Sequence, residues 1–433
     1  MPRRPAAALF LLLLASAPLS AQARHLRDRI PELFSFGNCG QPLCLDGSVS
    51  AANGHGDHFL PGVSSANATI IGFLTDAISV NASNLPLSAS SSGQTFRFEG
   101  GLPVKTSTSL GPVFGERAQT IGKGRFVVGA NMSGVDLTSL RGVPMDKLVL
   151  NFTHADVPGV GLPGLGDPEK ENDILQVRLQ MYVHLLVSTF FATWGVSDRF
   201  DVSVAVPLVH TSLEGRSQAQ IFPFGLVAVH FFTGTADNPG LSANAATFGS
   251  ATGIGDIALR AKGSLRGTGR VRLAGMADVR LPTGSEADLT GSGHLAVRGL
   301  AILSGRFGDF SPHLNAGFLL RGGQGRTDAW LVTAGFDHPV SPWATMSADV
   351  LSEWQTGSGG LKLPGTVTLL YPFVRTVEPT NIPDMKDHRV NGAFGFKFLT
   401  PGGPILVANA LVPLRRGGLQ SNLIWTLGLD LNL

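Results

Sequence analysis

The chain has 433 residues, of which 15% are charged, with 33 basic and 31 acidic side chains. Such a balance offers nucleic acid no basic surface, so we expect no nucleic-acid partner. Glycine (55 residues) and proline (27 residues) are abundant, which favours turns and strands and argues against a mainly helical fold.

Residues 1–23 have the features of a secretory signal peptide. Arg3 and Arg4 precede an apolar run, and Ala21 and Ala23 supply the small residues of a cleavage site. Removing those two arginines from the 33 basic residues leaves 31, equal to the 31 acidic ones. Beyond the signal, no apolar run approaches the roughly 18 to 20 residues of a membrane helix. A mature chain that crosses a membrane would therefore do so with strands.

Residues 24–123 differ from the rest and predict a periplasmic segment or a plug. Cys39 and Cys44 are the two cysteines, and in an exported chain they predict a small disulfide loop. His55, Asp57 and His58 are residue types that bind metals, but their spacing matches no established motif. We expect an exposed polar loop there, with no metal and no other cofactor.

Two elements are predicted within this segment. One is a short amphipathic helix from about Asn67 to Ser79, and the other is a strand from Thr95 to Phe98. The helix is far too short to span a membrane.

From Arg125 onward, alternation with a period of two dominates. Between Gln176 and Val187, every second residue from Val177 is apolar, and the residues between them are mostly polar. Side chains of a strand point alternately to opposite faces. We interpret the apolar row as facing lipid and the polar row as lining a lumen. The same alternation ends the chain, from Trp425 to Leu433.

The predicted fold is all-β: an antiparallel transmembrane β-barrel over residues 124–433 with 12 strands. Its connections alternate between tight and long, as in outer-membrane barrels. Fourteen strands is the alternative, because residues 147–152 could extend the first hairpin above the membrane and residues 95–103 could form a further strand. The predicted strand spans are 125–138, 173–195, 199–211, 253–264, 270–282, 293–304, 311–322, 327–338, 343–355, 388–399, 404–414 and 420–433.

Polar side chains at the inward parity are the candidate lumen and substrate-binding residues. They form either a ladder of ion pairs that satisfies a wet interior or a basic-biased track for anionic or phenolic solutes. The choice depends on strand register. These candidates are Arg178, Tyr182, His184, Arg260, Lys262, Arg272, Arg280, Arg298, Arg321 and Arg389.

No catalytic residue is predicted. His184, His294 and His313 fall at lumen parities, but a hydrolase would also need a serine and an orienting group. The sequence has no Gly-x-Ser-x-Gly elbow. We therefore expect a protein that is not an enzyme, and a membrane-embedded hydrolase remains a minor alternative.

Two long connections, 212–252 and 356–387, are unusually apolar. Ile221, Phe222 and Phe224 are examples from the first. Either these segments cover the barrel mouth or extend neighbouring strands, or they form a vestibule that collects hydrophobic molecules. Both interpretations predict an occluded outer mouth.

Three runs carry a resemblance to a known family. Residues 195–207, 253–262 and 281–284 resemble outer-membrane barrels of the phenol-degradation MetA-type transporter family and, more distantly, fatty-acid and aromatic-hydrocarbon importer barrels. Residues 111–118 resemble a run found in uncharacterised bacterial outer-membrane proteins. The chain departs from such barrels at its end, where Leu433 replaces the usual aromatic residue.

The resemblance implies a function and a location. We expect a monomeric channel in bacterial outer-membrane lipid, inserted by the barrel-assembly machinery. Its small-molecule solutes would be hydrophobic or aromatic and would enter passively. The alternative is a structural or surface barrel without transport.

Overall fold

The computed structural model describes residues 24–36, 72–82, 96–99, 102–105, 109–153, 173–223, 230–235, 237–266, 269–323, 326–357, 361, 363, 365–369 and 374–433. The signal peptide, the cysteine pair and the loop at His55 lie outside these residues, so those three inferences stay predictions. The described helices are a 3-10 turn, Leu26–Asp28, which continues as α1, Arg29–Glu32, and a second helix, α2, over 72–82. None of these helices has the length and apolar character needed to cross a membrane.

The strands are, in chain order, β1 (Phe96–Glu99), β2 (Leu102–Lys105), β3 (Phe126–Leu140), β4 (Val143–Pro144), β5 (Leu148–Thr153), β6 (Ile174–Ser197), β7 (Phe200–Phe222), β8 (Thr233–Thr235), β9 (Asn238–Gly240), β10 (Ser242–Ile254), β11 (Ala258–Arg266), β12 (Val271–Arg280), β13 (Ala296–Gly305), β14 (Ser311–Arg321), β15 (Ala329–Ser341), β16 (Ala344–Gln355), β17 (Val367–Leu369), β18 (Arg375–Val377), β19 (Arg389–Leu399), β20 (Ile405–Pro413) and β21 (Leu419–Asn432).

Twelve of these elements close into a ring of antiparallel pairs. The order runs β3, β6, β7, β11, β12 to β16, β19, β20 and β21, and β21 pairs back with β3. The fourth wall strand consists of two elements, β10 and β11. β11 pairs with the first residues of β7, and β10 pairs with the rest of β7. A closed ring leaves no backbone edge unpaired in lipid. The predicted twelve-stranded antiparallel barrel is confirmed.

The two strands that would have raised the count to fourteen lie outside the ring. β5 pairs with the first residues of β6, beyond β3, and so extends the first hairpin. β1 and β2 form a separate two-stranded hairpin. The apolar connection after residue 212 continues as strand, because β7 runs to Phe222 and β10 pairs with it. The helix expected at 67–79 is described over 72–82.

The two ends of the barrel differ in their connections. β6 and β7 are joined by a turn of two residues, and the chain termini of the barrel meet at the same end, where Leu433 N bonds to Phe126 O at 2.8 Å. Short turns mark the periplasmic end of an outer-membrane barrel. The opposite, extracellular end carries the longer connections, including 281–295 and 356–388.

The outer surface of the wall is apolar through its periplasmic half. Along each strand, exposed leucine, valine and aromatic side chains alternate with less exposed ones that point inward; Phe190, Leu259, Leu314 and Leu427 are examples of the exposed side chains. A closed barrel with an even strand number and such an outer band is the architecture that spans the bacterial outer membrane. The chain is therefore an outer-membrane β-barrel.

At the extracellular end, the wall extends beyond the membrane on one side only. A transmembrane strand needs about 9–11 residues, whereas β6 has 24 and β7 has 23. Their upper halves form, with β5 and β10, a four-stranded sheet that we call the extracellular sheet. Its inner face carries the apolar row of β6, which packs on Leu26, Ile30 and Leu33.

This arrangement corrects one prediction about parity. The apolar row at Val177–Val187 faces the interior of the protein, not lipid, and the polar row between faces outward. Phe190 and Trp194, further along β6, share the outward side with that polar row. Period two shows only that the faces differ. At the C-terminal strand the interpretation holds, because Leu427 and Leu429 are exposed and Thr426 and Asp430 are buried.

Leu427 offers a test of the outer band. Arginine at this position, midway along the outward row of β21, is expected to destabilise the barrel by about 2–4 kcal/mol, because it places a charge in the middle of the hydrocarbon. Urea titration of the protein refolded in lipid vesicles measures the effect. Leu433→Arg, at the end of the same row, serves as the control and should cost at most about 1 kcal/mol. Equal effects at both positions would contradict this placement of the membrane.

Candidate functional site

The lumen holds most of the predicted candidate residues. By strand alternation, seven of them point inward, whereas their neighbours such as Leu259, Leu273 and Leu320 are exposed on the outside. The inward seven are Arg260, Lys262, Arg272, Arg280, Arg298, Arg321 and Arg389. The remaining three candidates, Arg178, Tyr182 and His184, are on the outward side of the extracellular sheet, and His184 bonds there to Asp136 at 2.7 Å. Their placement in the lumen was wrong.

A segment of the chain that precedes the barrel crosses the lumen at the periplasmic end. We call residues 109–121 the inner segment. Its backbone N–H groups donate to inward side chains of four strands: Leu110 to Thr345 Oγ1 (2.9 Å), Glu116 to Asn315 Oδ1 (2.7 Å), Ala118 to Ser304 Oγ (3.1 Å) and Ile121 to Asp201 Oδ2 (3.0 Å). Short polar side chains on the wall thus take the place of a neighbouring strand for this irregular stretch.

One buried ion pair ties the inner segment to the wall. Arg117 Nε donates to Asp337 Oδ1 at 3.0 Å, and its Nη2 contacts the second carboxylate oxygen. The Ser109 hydroxyl also donates to Asp337. Both members of the pair are almost fully buried. Removing one member would leave an uncompensated charge inside the barrel.

Glu116 supplies the lumen with a further carboxylate. Its oxygens lie 3.7 Å from Arg260 Nη1 and 3.4 Å from Lys262 Nζ. Two of the predicted lumen cations are therefore paired with a residue of the inner segment. Neither Glu116 nor Arg117 was among the predicted lumen residues, because the stretch around them has no periodic pattern.

Gly115 brings the inner segment into close contact with the wall. A Cβ atom at this position would lie 2.0 Å from His313 Nε2, so only glycine fits without a shift. His313 Nε2 is 2.5 Å from Asp349 Oδ1, and both side chains are buried beneath the segment. This histidine, one of the three considered for catalysis, therefore lies in a packed contact and not at the cavity surface.

The inner segment also packs on the wall through apolar side chains. Leu110, Val113 and Phe114 form a buried cluster with inward residues of β19 and β20, and Leu351 and Ile424 pack against it. The inner segment is thus held to the wall by hydrogen bonds on some strands and by apolar packing on others.

On the extracellular side of the inner segment, arginines surround the carboxylate of Asp278. Asp278 is the cross-strand partner of both Arg260 and Arg298. Its Oδ2 atom lies 2.6 Å from Arg260 Nε and 2.8 Å from Arg298 Nη2, and its Oδ1 atom is 3.7 Å from Arg280 Nε. Strand register therefore produces a cluster in which three arginines share Asp278. Such a cluster combines features of both expectations, the ladder of ion pairs and the basic-biased track.

A central cavity of about 170 Å³ lies in the lumen above the inner segment. One side of it is polar, and the other is a leucine-rich wall. An engineered cavity of about 150 Å³ is large enough for benzene, so this space matches one aromatic ring. Its lining includes Arg280, Arg298, Glu353, Arg389, Asn391, Leu300, Leu319, Leu331, Leu351, Leu411 and Ile424.

A second cavity, of about 270 Å³, lies nearer the extracellular end. Gly72, Phe73 and Asp76 of α2 form one of its sides. Glu353 and Arg389 line both cavities. We call this space the outer cavity, and we use the term junction for Glu353 and Arg389, the two residues that it shares with the central cavity.

The N-terminal residues cover the extracellular sheet from the inside. Ser217 Oγ donates to Leu33 O at 2.6 Å, and Thr247 Oγ1 donates to Glu32 Oε2 at 2.6 Å. Residues 24–36 also reach the 281–295 connection, where Arg27 N bonds to Ala287 O at 2.8 Å. The outer mouth is therefore filled, at least in part, by chain that precedes the barrel.

The exposed pair His25 and Asp288, 3.0 Å apart, predicts a pH dependence of this contact. The hydrogen bond that His25 donates to the Asp288 carboxylate raises the pKa of His25 above 6.5. Burial acts to raise the pKa of Asp288, but the hydrogen bonds of His25 and Ser285 outweigh it and hold that pKa below 3.8. The His25 contribution is complete below pH 6.5 and is lost as pH rises through the raised pKa; the Asp288 contribution is complete above pH 3.8 and is lost in stronger acid.

We therefore expect protection of residues 24–36 from hydrogen exchange to be greatest between these limits and to fall on the alkaline side. His25→Gln should remove the alkaline fall. The test covers roughly pH 5 to 9, which includes the range in which histidine titrates. Wild-type protection that does not change over this range would contradict this role for the pair.

Comparisons with known proteins give distant structural similarities. No protein-family model and no curated protein matches the sequence. Among solved structures, the COG4313 outer membrane channel from Pseudomonas putida F1 is 12% identical, with a TM-score of 0.39 over 73% of this chain and 98% of that one. A Pseudomonas aeruginosa FadL homologue is 14% identical (TM-score 0.30, 71% and 89% coverage), and the Ralstonia pickettii toluene transporter TbuX is 13% identical (TM-score 0.26, 71% and 89% coverage).

Proposed function

We propose that this protein is an outer-membrane channel through which small hydrophobic or aromatic molecules enter the cell passively. The observation that carries the proposal is the central cavity. It lies inside a twelve-stranded barrel, has an apolar wall and the volume of one ring, and shares two lining residues, Glu353 and Arg389, with the outer cavity. A wall built only for structure would not need such a space.

In this proposal residues 24–123 act as the plug. Their described parts lie close to both cavities. α2 lines the outer cavity with Gly72, Phe73 and Asp76 and the central cavity with Asn81. The inner segment packs against Leu351, Leu411 and Ile424 of the central cavity wall. Passage to the periplasm then requires the inner segment to shift. The protein would act as a monomer and reach the membrane through the barrel-assembly machinery.

Uptake of a neutral ring compound tests the proposal. A Gram-negative host without its own general porins would express the full chain, and entry of labelled benzamide would be measured against sucrose. Wild-type protein should speed benzamide entry more than sucrose entry. Leu351→Trp, which fills the cavity, should reduce that gain, whereas Val350→Trp, on the lipid side of the same strand, should not. No gain with wild-type protein would favour the non-transporting barrel.

A further inference from the structure

The charges around the junction of the two cavities are unequal. Arg389 and Glu353 are cross-strand partners at this point. Glu353, however, is bonded to Arg321, with Arg321 Nη2 2.6 Å from Glu353 Oε1. The carboxylate of Glu353 therefore has two arginines nearby, and it forms its ion pair with Arg321.

The other acidic residues near Arg389 are also engaged. Asp387 is held by Arg141, whose Nε and Nη2 donate to its two oxygens at 2.7 and 3.1 Å. Asp76, across the outer cavity, has Arg326 among its charged neighbours. Within the part of the chain that the structure describes, no carboxylate lies within ion-pair distance of Arg389.

The hydrogen bonds of Arg389 also leave room for an anionic partner. Its Nη1 donates to a neutral acceptor, Asn81 Oδ1, at 3.3 Å. Its Nε is buried and has no hydrogen-bond partner among the described residues, and the same holds for Arg298 Nε in the central cavity. A buried donor without an acceptor costs free energy that a bound anion would recover. A guanidinium also presents its donors in a fork that fits a carboxylate.

Apolar surface begins directly beside this guanidinium. Asn391, the next inward residue of β19, has Leu351 as its cross-strand partner, and Ala393 beyond it has Leu411. Leu331 and Ile424 complete the wall, and the cluster of Leu110, Val113 and Phe114 lies beneath it. A ligand with its charge at Arg389 would therefore place its body in a space sized for one ring.

From this juxtaposition we propose that the central cavity binds a small aromatic monocarboxylate, with the carboxylate on Arg389 and the ring against the wall of Leu331, Leu351, Leu411 and Ile424. The inference rests on the proposed channel function and narrows its substrate class. The ring alone would fit the cavity equally well. The charge of Arg389 gives the carboxylate its advantage over a neutral compound of the same shape.

Benzoate and benzamide form a matched pair for the test, because they share a ring and differ in charge. Binding of each to the purified full-length protein in detergent would be measured by equilibrium dialysis against empty micelles. Wild-type protein should bind benzoate more tightly. Arg389→Gln should weaken benzoate binding about tenfold or more and leave benzamide binding unchanged. Arg389→Lys, which keeps the charge but loses the fork, should fall between.

The control is Arg178→Gln, on the outward side of β6, which should bind both compounds as the wild type does. Retained heat-modifiable migration in gels verifies that each variant is folded. Equal wild-type affinities for the two compounds would overturn the proposal, and so would an Arg389→Gln variant that loses both equally, since that is the mark of a structural role.

The outcomes also separate this inference from the proposed function. If benzamide enters cells through the wild-type channel but benzoate has no binding advantage, the carboxylate inference fails alone. If wild-type protein neither binds benzamide nor admits it, the channel itself fails.

Discussion

Asp337→Asn is expected to convert a nearly closed barrel into a conducting one. Asp337 accepts from Arg117 and from Ser109 and is fully buried. The substitution keeps the shape of the side chain but leaves the guanidinium of Arg117 without its counter-charge. Breaking one side of a buried pair typically costs about 3–5 kcal/mol, and each 1.4 kcal/mol or so is tenfold in an equilibrium. We expect the displaced state of the inner segment to gain about a hundredfold or more.

Single-channel recording in planar bilayers with the full-length protein measures this change as the fraction of time spent open. Arg117→Ala should act in the same direction. The matched control is Arg216→Ala, because Arg216 also bonds to a carboxylate, Glu214, at 2.9 Å, but on the exposed outer side. Loss of an exposed pair changes stability by about 1 kcal/mol at most, and conductance should not change.

A folded Asp337→Asn protein that stays as closed as the wild type would contradict this role of the ion pair. The backbone contacts to Thr345, Asn315 and Ser304 would then be sufficient to hold the inner segment.

The barrel itself could be predicted because its signal is local and repeated. Each wall strand alternates with period two, and each turn carries glycine, proline or aspartate, so twelve spans could be counted without knowing which residues pair. Where the neighbouring environment is lipid, as for Leu427 and Leu429, the outward row is also the apolar row. Parity then indicates the inward row directly, and seven of the ten candidates, from Arg260 to Arg389, have that parity.

Parity failed where the wall leaves the membrane. Above the bilayer, the outer face of the wall contacts water and the inner face contacts packed protein. The apolar residues of β6 are therefore on its inner face there, although the strand continues without interruption. Two signals in the sequence indicate this reversal. A strand of 24 residues is longer than a membrane requires, and Phe190 and Trp194 have the same parity as Arg178 and His184.

The contacts of the inner segment could not be predicted from the sequence for a different reason, although a plug in residues 24–123 was one of the two expectations. Its contacts are made by an irregular backbone with single side chains on four distant strands, and nothing periodic marks it. The charge cluster likewise depends on register: Asp278 meets Arg260 and Arg298 only because they are direct partners across two strand pairs. A shift of two residues in either pair would preserve parity and undo the cluster.

The reversal of faces in β6 leads to the second large effect. Val183→Asp is expected to destabilise the protein severely, whereas Tyr182→Asp, one residue away, should be nearly neutral. Val183 is 3% exposed and belongs to the core formed with Leu33 and Ile78, but Tyr182 is 55% exposed on the outer side. Among the described residues, the side chains that form this core are apolar, so they offer a carboxylate no partner. An uncompensated buried charge costs about 3–5 kcal/mol, and a surface change costs about 0.5 kcal/mol or less.

Urea titration of both variants refolded in lipid vesicles compares their midpoints, and protease susceptibility of residues 24–36 reports whether the N-terminal segment has detached. The pair discriminates sharply between the two possible orientations of β6. If lipid contacted the apolar row, both residues would still differ, but Val183→Asp would leave residues 24–36 protected. Protected N-terminal residues in a destabilised Val183→Asp protein would thus contradict the packing of Leu33 against this strand, because that packing couples the extracellular sheet to the chain that fills the outer mouth.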